Sequence, residues 1–247
     1  MENNILTGFC DLDELTKGIG DSELIFIGAR PGIGKTSFSL NIAKYVVEKQ
    51  KIPTVFFSLE MSEEQVRKCI ANMEWHLKSD LIIDDTPAIT VEEIASKCKK
   101  LKEERKLGLI IIDYLQLLED EETNRNCDSK RKKMSSVMYK LKKLACELST
   151  PVIVTSHMPR PIERRENKRP ILQDLRLVGD VEQNADIIIF LYRDECYNKD
   201  TEQKGIAEVI VAKRRVGKSG TIELAFLSEK CTFCNLLRGW RKNYENT

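Results

Sequence analysis

Short apolar runs of strand length alternate with stretches of helical pattern through most of this chain. That alternation constrains the fold more than any other feature. Glu23 to Gly28 reads as a strand, and a glycine-rich turn leads from it to a helix over about Ser37 to Lys49. Further strands are expected at Pro53 to Ser58, Leu81 to Ile83, Leu109 to Ile112, Pro151 to Thr155 and Asp186 to Leu191. Between them, Ser62 with Gln65 and Thr90 with Glu93 have the spacing of capping boxes, so helices open there, the second running to about Arg105. A basic helix covers about Ser129 to Leu148. Strands joined through crossover helices form a mostly parallel, twisted sheet with helices on both faces. After residue 200 the pattern changes. Ala207 to Ala212 and Thr221 to Phe226, joined by a turn with Gly217 and Gly220, predict an antiparallel hairpin at the C-terminal edge of the sheet. The 247 residues suit one such α/β domain and are short for two.

The net charge is only +1, so any contact with nucleic acid must come from local basic patches rather than a global field. No apolar run approaches the roughly 20 residues of a membrane span, and the N-terminus has no export pattern, so a cytoplasmic protein with no membrane partner is expected. Of the eight cysteines, Cys231 and Cys234 form the one C-x-x-C pair. A structural zinc site needs a second pair, so neither a metal framework nor disulfides are expected.

The stretch Ala29-Arg30-Pro31-Gly32-Ile33-Gly34-Lys35-Thr36 fits the phosphate-binding loop pattern, with alanine in the first glycine position. Its context, strand before and helix after, is what the chemistry requires. Successive backbone N–H groups wrap phosphates, and the helix that Ser37 begins adds its dipole. Gly32 and Gly34 permit the turn. Lys35 is expected on the β and γ phosphates, and the Thr36 hydroxyl on Mg²⁺.

Ligands of open α/β sheets bind beyond the carboxyl ends of the strands. Glu60, Asp113 and His157 all stand there. Asp113 ends a longer and more apolar strand than Asp84 or Asp85, and is the preferred second magnesium residue. Glu60 is either the carboxylate that activates water or a helix-entry acid. His157 is either a γ-phosphate sensor or a strand-end polar residue. Lys213 and Arg215, two apart, share one face of a strand. They are either cations for a transition state or the solvated edge that lysines often mark. The stretch Arg160 to Pro170, with Arg164 and Arg165, is either a nucleic-acid backbone contact or a solvated loop. It has no aromatics for base stacking.

Several segments resemble the ATPase domain of DnaB-type replicative DNA helicases. They are Gly8-Phe9 with Asp11-Leu12-Asp13, the loop ending at Thr36, Phe57 to Met61, Ile112 to Leu117, Asp174-Leu175-Arg176, Glu182 to Asp186, Tyr192 to Glu195 and Lys204 to Glu208. The resemblance spans nearly the whole chain. It implies a RecA-like fold, ATP and Mg²⁺ as cofactors, and a six-membered ring on single-stranded DNA. Glu60 becomes the catalytic carboxylate and Asp113 the Walker B acid. Lys213 and Arg215 would reach a neighbouring subunit's ATP, with Arg215 as finger, and Arg176, Leu177 and Gly179 would lie in the DNA-facing loop. Against the family pattern, the chain starts at the ATPase domain, without the primase-engaging N-terminal domain, and is shortened between Trp75 and Leu81. Leu177 and Val178 replace the usual Glu-Ser, and His157 replaces a glutamine. A recombinase-type RecA-like ATPase, or a truncated helicase domain that binds nucleotide without unwinding, are the other readings.

Overall fold

Side chains alternate sides along a strand, and here the two sides meet two different sets of helices. The computed structural model describes residues 4–75, 80–119 and 130–236. The expected helix start at Ser129 and residues 76–79 of the shortened region lie outside the described residues. The elements are α1 (Cys10–Thr16), β1 (Leu24–Ala29), α2 (Lys35–Tyr45, continuing as a wider helical turn to Gln50), β2 (Thr54–Ser58), α3 (Glu63–Asn72), β3 (Leu81–Asp84), α4 (Val91–Arg105), β4 (Leu109–Asp113), α5 (Lys130–Leu148), β5 (Val152–His157), α6 (Val181–Asn184), β6 (Ile187–Tyr192), β7 (Ile206–Arg214), β8 (Gly220–Leu227) and β9 (Thr232–Asn235).

The sheet order is β3-β2-β4-β5-β1-β6-β7-β8-β9. The six strands from β3 to β6 are mutually parallel, and β7, β8 and β9 continue the sheet antiparallel. The parallel strands inside the edge strand β3 are buried on both faces, which is why they read as unbroken apolar runs. Ile25, Ile27, Phe56, Ile111, Ile153 and Ile189 pack with α2 residues such as Phe38 and Ile42. Their neighbours Phe26, Phe57, Ile110, Ile112, Val154 and Phe190 face the other way, onto Ile94 of α4 and Val137, Met138 and Leu141 of α5.

Both capping boxes form. The Ser62 hydroxyl accepts the Gln65 N–H while the Gln65 side chain accepts the Ser62 N–H, and Thr90 and Glu93 do the same. Removing such a cap costs about 1 kcal/mol. The C-terminal hairpin is present, but a further strand, β9, lies outside it. Thr232–Asn235 is short and carries Cys234, so it reads in sequence as half of a C-x-x-C rather than as a strand. Helix α1 likewise has no counterpart among the sequence expectations. No helix among the described residues is long and apolar enough to cross a membrane.

Candidate active site

The turn after β1 is shaped by two glycines with positive φ. Gly32, at +78°, has nothing within 4 Å of where a Cβ would stand, and so faces open space. Gly34, at +112°, has the Phe233 ring 3.2 Å from that position, so a side chain would meet strain and an aromatic wall together. Lys35 opens α2 directly, two residues before the expected helix start. Its side chain is largely buried, 6% exposed. Burial pushes the ammonium down to about 8, against the pull of Asp113 and Glu60.

Three strand ends converge on this turn. Asp113 closes β4 and is buried. It accepts the Thr36 hydroxyl at 2.5 Å and the Thr155 hydroxyl. The rival carboxylates are committed elsewhere: Asp84 pairs with Lys97 at 2.5 Å, and Asp85 accepts the Glu63 N–H at 2.8 Å. His157 ends β5, which pairs with β1 so that His157 stands opposite Ala29. Lys35 Nζ donates to His157 Nδ1 at 3.1 Å. Burial, then Lys35 and Arg30, push this imidazole down to about 4, so it is neutral near pH 7. Gln116 fixes the histidine backbone, accepting its N–H at 3.2 Å and donating to its carbonyl at 3.1 Å. The Tyr114 ring stands edge-on to the imidazole, centroids 4.2 Å apart. Glu60 lies just past β2 and is exposed. Arg30 turns back to Glu163 at 2.7 Å and to the Met158 carbonyl at 2.8 Å, tying the first half of the loop to the segment after β5.

Arg193 is a residue that sequence does not single out beyond its place in the Tyr192 to Glu195 resemblance. Its guanidinium reaches the Gly32 and Ile33 carbonyls, both at 3.4 Å, and stacks on Phe226 at 4.2 Å. Glu195 holds it from behind and accepts the Gly205 N–H at 2.8 Å. A long-range brace of this kind leaves no periodic signal in sequence.

Lys213 and Arg215 lie elsewhere. Because β7 runs antiparallel to β6, Lys213 pairs opposite Ile188 and Arg214 opposite Ile187, at the start of β6. That is the end of the sheet remote from the phosphate turn. The two reach one side: Lys213 Nζ donates to the Glu182 and Ala185 carbonyls and the Arg215 guanidinium to the Gln183 carbonyl, while Arg214 between them turns to Glu23 and the Thr16 carbonyl. The register slip between Ile188 and Ile189 falls at Ala212, before both residues, and Arg215 stands one position past the end of β7 with 54% of its side chain exposed. β8 pairs with β7 over Ile206 to Val211, and Lys213 and Arg215 stand past that pairing.

Of the expected DNA-contact residues, Arg176 and Leu177 are exposed on a 3-10 turn, and Gly179 borders a cleft of about 510 Å³ with Arg131, Asp180 and Gln183. Arg164 is exposed. Arg165 is already engaged, on both Asp174 oxygens at 3.0 Å and the Arg169 carbonyl at 2.7 Å. Its guanidinium ties the loop to Asp174 and remains about one-third exposed.

A parallel sheet ordered around β1, a glycine turn opening α2 and a strand-end aspartate on its threonine together define a P-loop nucleotide-binding domain of RecA-like type. Comparison with known proteins narrows the class. The family model described as "DnaB-like helicase C terminal domain" matches residues 4–80 and 67–235. The chain is 42% identical over 260 residues to the replicative DNA helicase DnaB of Geobacillus stearothermophilus, covering 95% of this chain and 57% of that protein. It is also 42% identical to a probable replicative DNA helicase of Trieres chinensis, covering 89% of this chain and 54% of the relative. Among solved structures, a DnaB-like replicative helicase, described together with its interactions with primase, superposes with a TM-score of 0.88 at 35% identity, over 95% of this chain and 62% of that one. A KaiC-like protein from Pyrococcus horikoshii, at 19% identity and a TM-score of 0.72 over 96% of this chain and all of that one, shares the fold. The chain belongs to the DnaB-like helicase C-terminal domain family, and spans a little over half the length of these replicative relatives.

Proposed function

We propose that this chain is the ATP-hydrolysing motor domain of a replicative-type helicase, acting in the cytoplasm on single-stranded DNA as a ring, in which each nucleotide is completed by the neighbouring subunit. The amides from Gly32 to Ser37 and the Lys35 ammonium bind the triphosphate. Thr36 and Asp113 would hold Mg²⁺, a role supported by the 2.5 Å hydrogen bond that brings their two oxygens to one point. The ion, when bound, supplies charge neutralisation on the phosphates. Glu60, open to water at the end of β2, takes the proton of the attacking water. His157, neutral and bonded to Lys35, is placed to follow the γ-phosphate.

The observation that carries the ring reading is the position of Arg215. It is exposed, and it stands at the end of the sheet away from its own phosphate turn. A cation there serves a triphosphate presented by another copy. The test is the rate of ATP hydrolysis against protein concentration, with and without single-stranded DNA. Specific activity is expected to rise steeply with concentration and to be stimulated by DNA. Specific activity independent of concentration over a wide range would contradict the shared site.

A further inference from the structure

Arg215 is held at the far end of the sheet by a four-residue helix. As the chain leaves β7, the Arg215 N–H donates to the Asp186 carbonyl at 2.9 Å. Lys213 Nζ donates to the Glu182 carbonyl at 2.5 Å and the Ala185 carbonyl at 2.7 Å. The Arg215 guanidinium reaches the Gln183 carbonyl at 3.5 Å and lies 3.4 Å from the Asp186 carboxylate. Two cations therefore sit on the last carbonyls of α6, where a helical turn carries partial negative charge.

Asp186 is itself anchored. It is 5% exposed on its side chain, and its Oδ2 takes the Leu24 N–H at 2.8 Å and Lys142 Nζ at 2.6 Å. One oxygen is thus tied to the start of β1 and to α5, and the other, Oδ1, faces Arg215.

The opposite end of α6 is continuous with the exposed loop that carries Arg176 and Leu177. The N–H groups of Val178 and Gly179 bond the Leu175 carbonyl at 2.8 and 3.1 Å. The Asn184 side chain returns to the Asp180 carbonyl at 2.8 Å, and the Asp180 N–H donates to Ser135 Oγ at 3.0 Å. At Gly179, with φ +146°, a Cβ would stand 3.1 Å from Met134 Cβ, so the backbone lies directly on α5. A shift of the loop must pass into α6 within a few peptide units, and α6 seats the cations.

We infer that α6 and Asp186 position Arg215, so that occupancy of the loop 176–179 by single-stranded DNA sets how far the cation reaches toward the neighbour's nucleotide. This rests on the reading of Arg215 as a finger in trans. Asp186 is then a positioning residue, which touches neither nucleotide nor DNA.

Coupling of this kind is reciprocal in binding: if DNA sets the finger, the nucleotide state sets DNA affinity. The test uses the full chain and two readouts, ATP hydrolysis with and without oligo(dT), and oligo(dT) affinity with AMP-PNP against ADP. Asp186→Asn keeps an acceptor for the Leu24 N–H but removes the charge before Arg215. It is expected to lose DNA stimulation, and its AMP-PNP against ADP contrast is expected to shrink by at least about fivefold, with nucleotide affinity kept. Asp186→Glu should restore part of both. Lys142→Met, which loosens the anchor but leaves the Arg215 pair, should retain both. Asn184→Ala, which frees α6 from Asp180 without touching either cation, should lose both and decides the matter should Asp186→Asn not fold. Wild-type stimulation and contrast in Asp186→Asn, or equal losses in Lys142→Met, would overturn the inference. Turnover surviving in Arg215→Ala would instead reject the finger reading itself.

Discussion

The two ends of the sheet are built on opposite plans. At the phosphate end the loop's own side chains and their neighbours are spoken for within one chain: Lys35 on His157, Thr36 on Asp113, Arg30 on Glu163, Arg193 on the loop carbonyls. At the other end Lys213 is seated on α6, but the Arg215 guanidinium makes one long hydrogen bond and one loose ion pair and is more than half exposed. Pre-organised groups suit a ligand that always arrives at the same place. A loosely held cation suits a target that comes with another molecule. On the proposed reading, the difference divides the site into a part that binds and a part that completes.

Substitutions sharpen that division. The largest effect is expected from Arg215→Ala. Turnover should fall by about 10³ to 10⁵ while ATP affinity, measured by titration, stays near that of the parent. Loss of binding as well would place Arg215 in the binding half. Glu60→Gln should cut turnover by about 10² to 10⁴ and again bind ATP normally. Undiminished turnover would return Glu60 to the role of a helix-entry acid. Gly34→Ala addresses the pre-organised end. A side chain at φ +112°, 3.2 Å from Phe233, should weaken nucleotide binding by about tenfold, with the effect read in affinity before it is read in kcat. An unchanged affinity would show that the turn is not held against β9.

The smallest effect is one of pH. Lys35 has its native pKa near 8, below its ordinary 10.5, because burial disfavours the ammonium. Between those values the unfolded chain binds the extra proton, so the ligand-free protein gains stability from this group as pH rises through that window. Below about 8 both states carry the charge, and its desolvation cost is fully present. Thermal melts compared with Lys35→Met should show the parent gaining on the variant as pH rises above about 8, while ATP affinity of the parent falls. Parallel melting curves across the window would argue that Lys35 is not desolvated.

Much of this was legible in the residues. The parallel strands announce themselves because both faces are buried, so a run such as Leu109 to Ile112 has no polar interruption. Capping boxes at Ser62 and Thr90 mark helix starts through local hydrogen bonds, and the phosphate turn is a local motif. What failed was non-local. β9 exists because Phe233 packs on Phe226 and Phe38 across the sheet, not because Thr232–Asn235 is a strong strand sequence. The bulge in β7 falls at Ala212, where Ile188 pairs with Lys213 but Ile189 with Val211, and a period-of-two argument cannot see it. Arg165 and Arg164 are adjacent and alike in sequence, yet Asp174 claims only the first. Arg193 braces a turn some 160 positions away, which spacing cannot reveal.

The division of the site is tested most directly by mixing two variants that are each inactive alone. Glu60→Gln subunits keep an intact Arg215, and Arg215→Ala subunits keep an intact Glu60 beside a working phosphate turn. If completion comes from the neighbour, the mixture contains interfaces that pair the two intact halves, and ATP hydrolysis reappears on mixing. A mixture as inactive as its components, with both variants still binding ATP and assembling, would contradict the account.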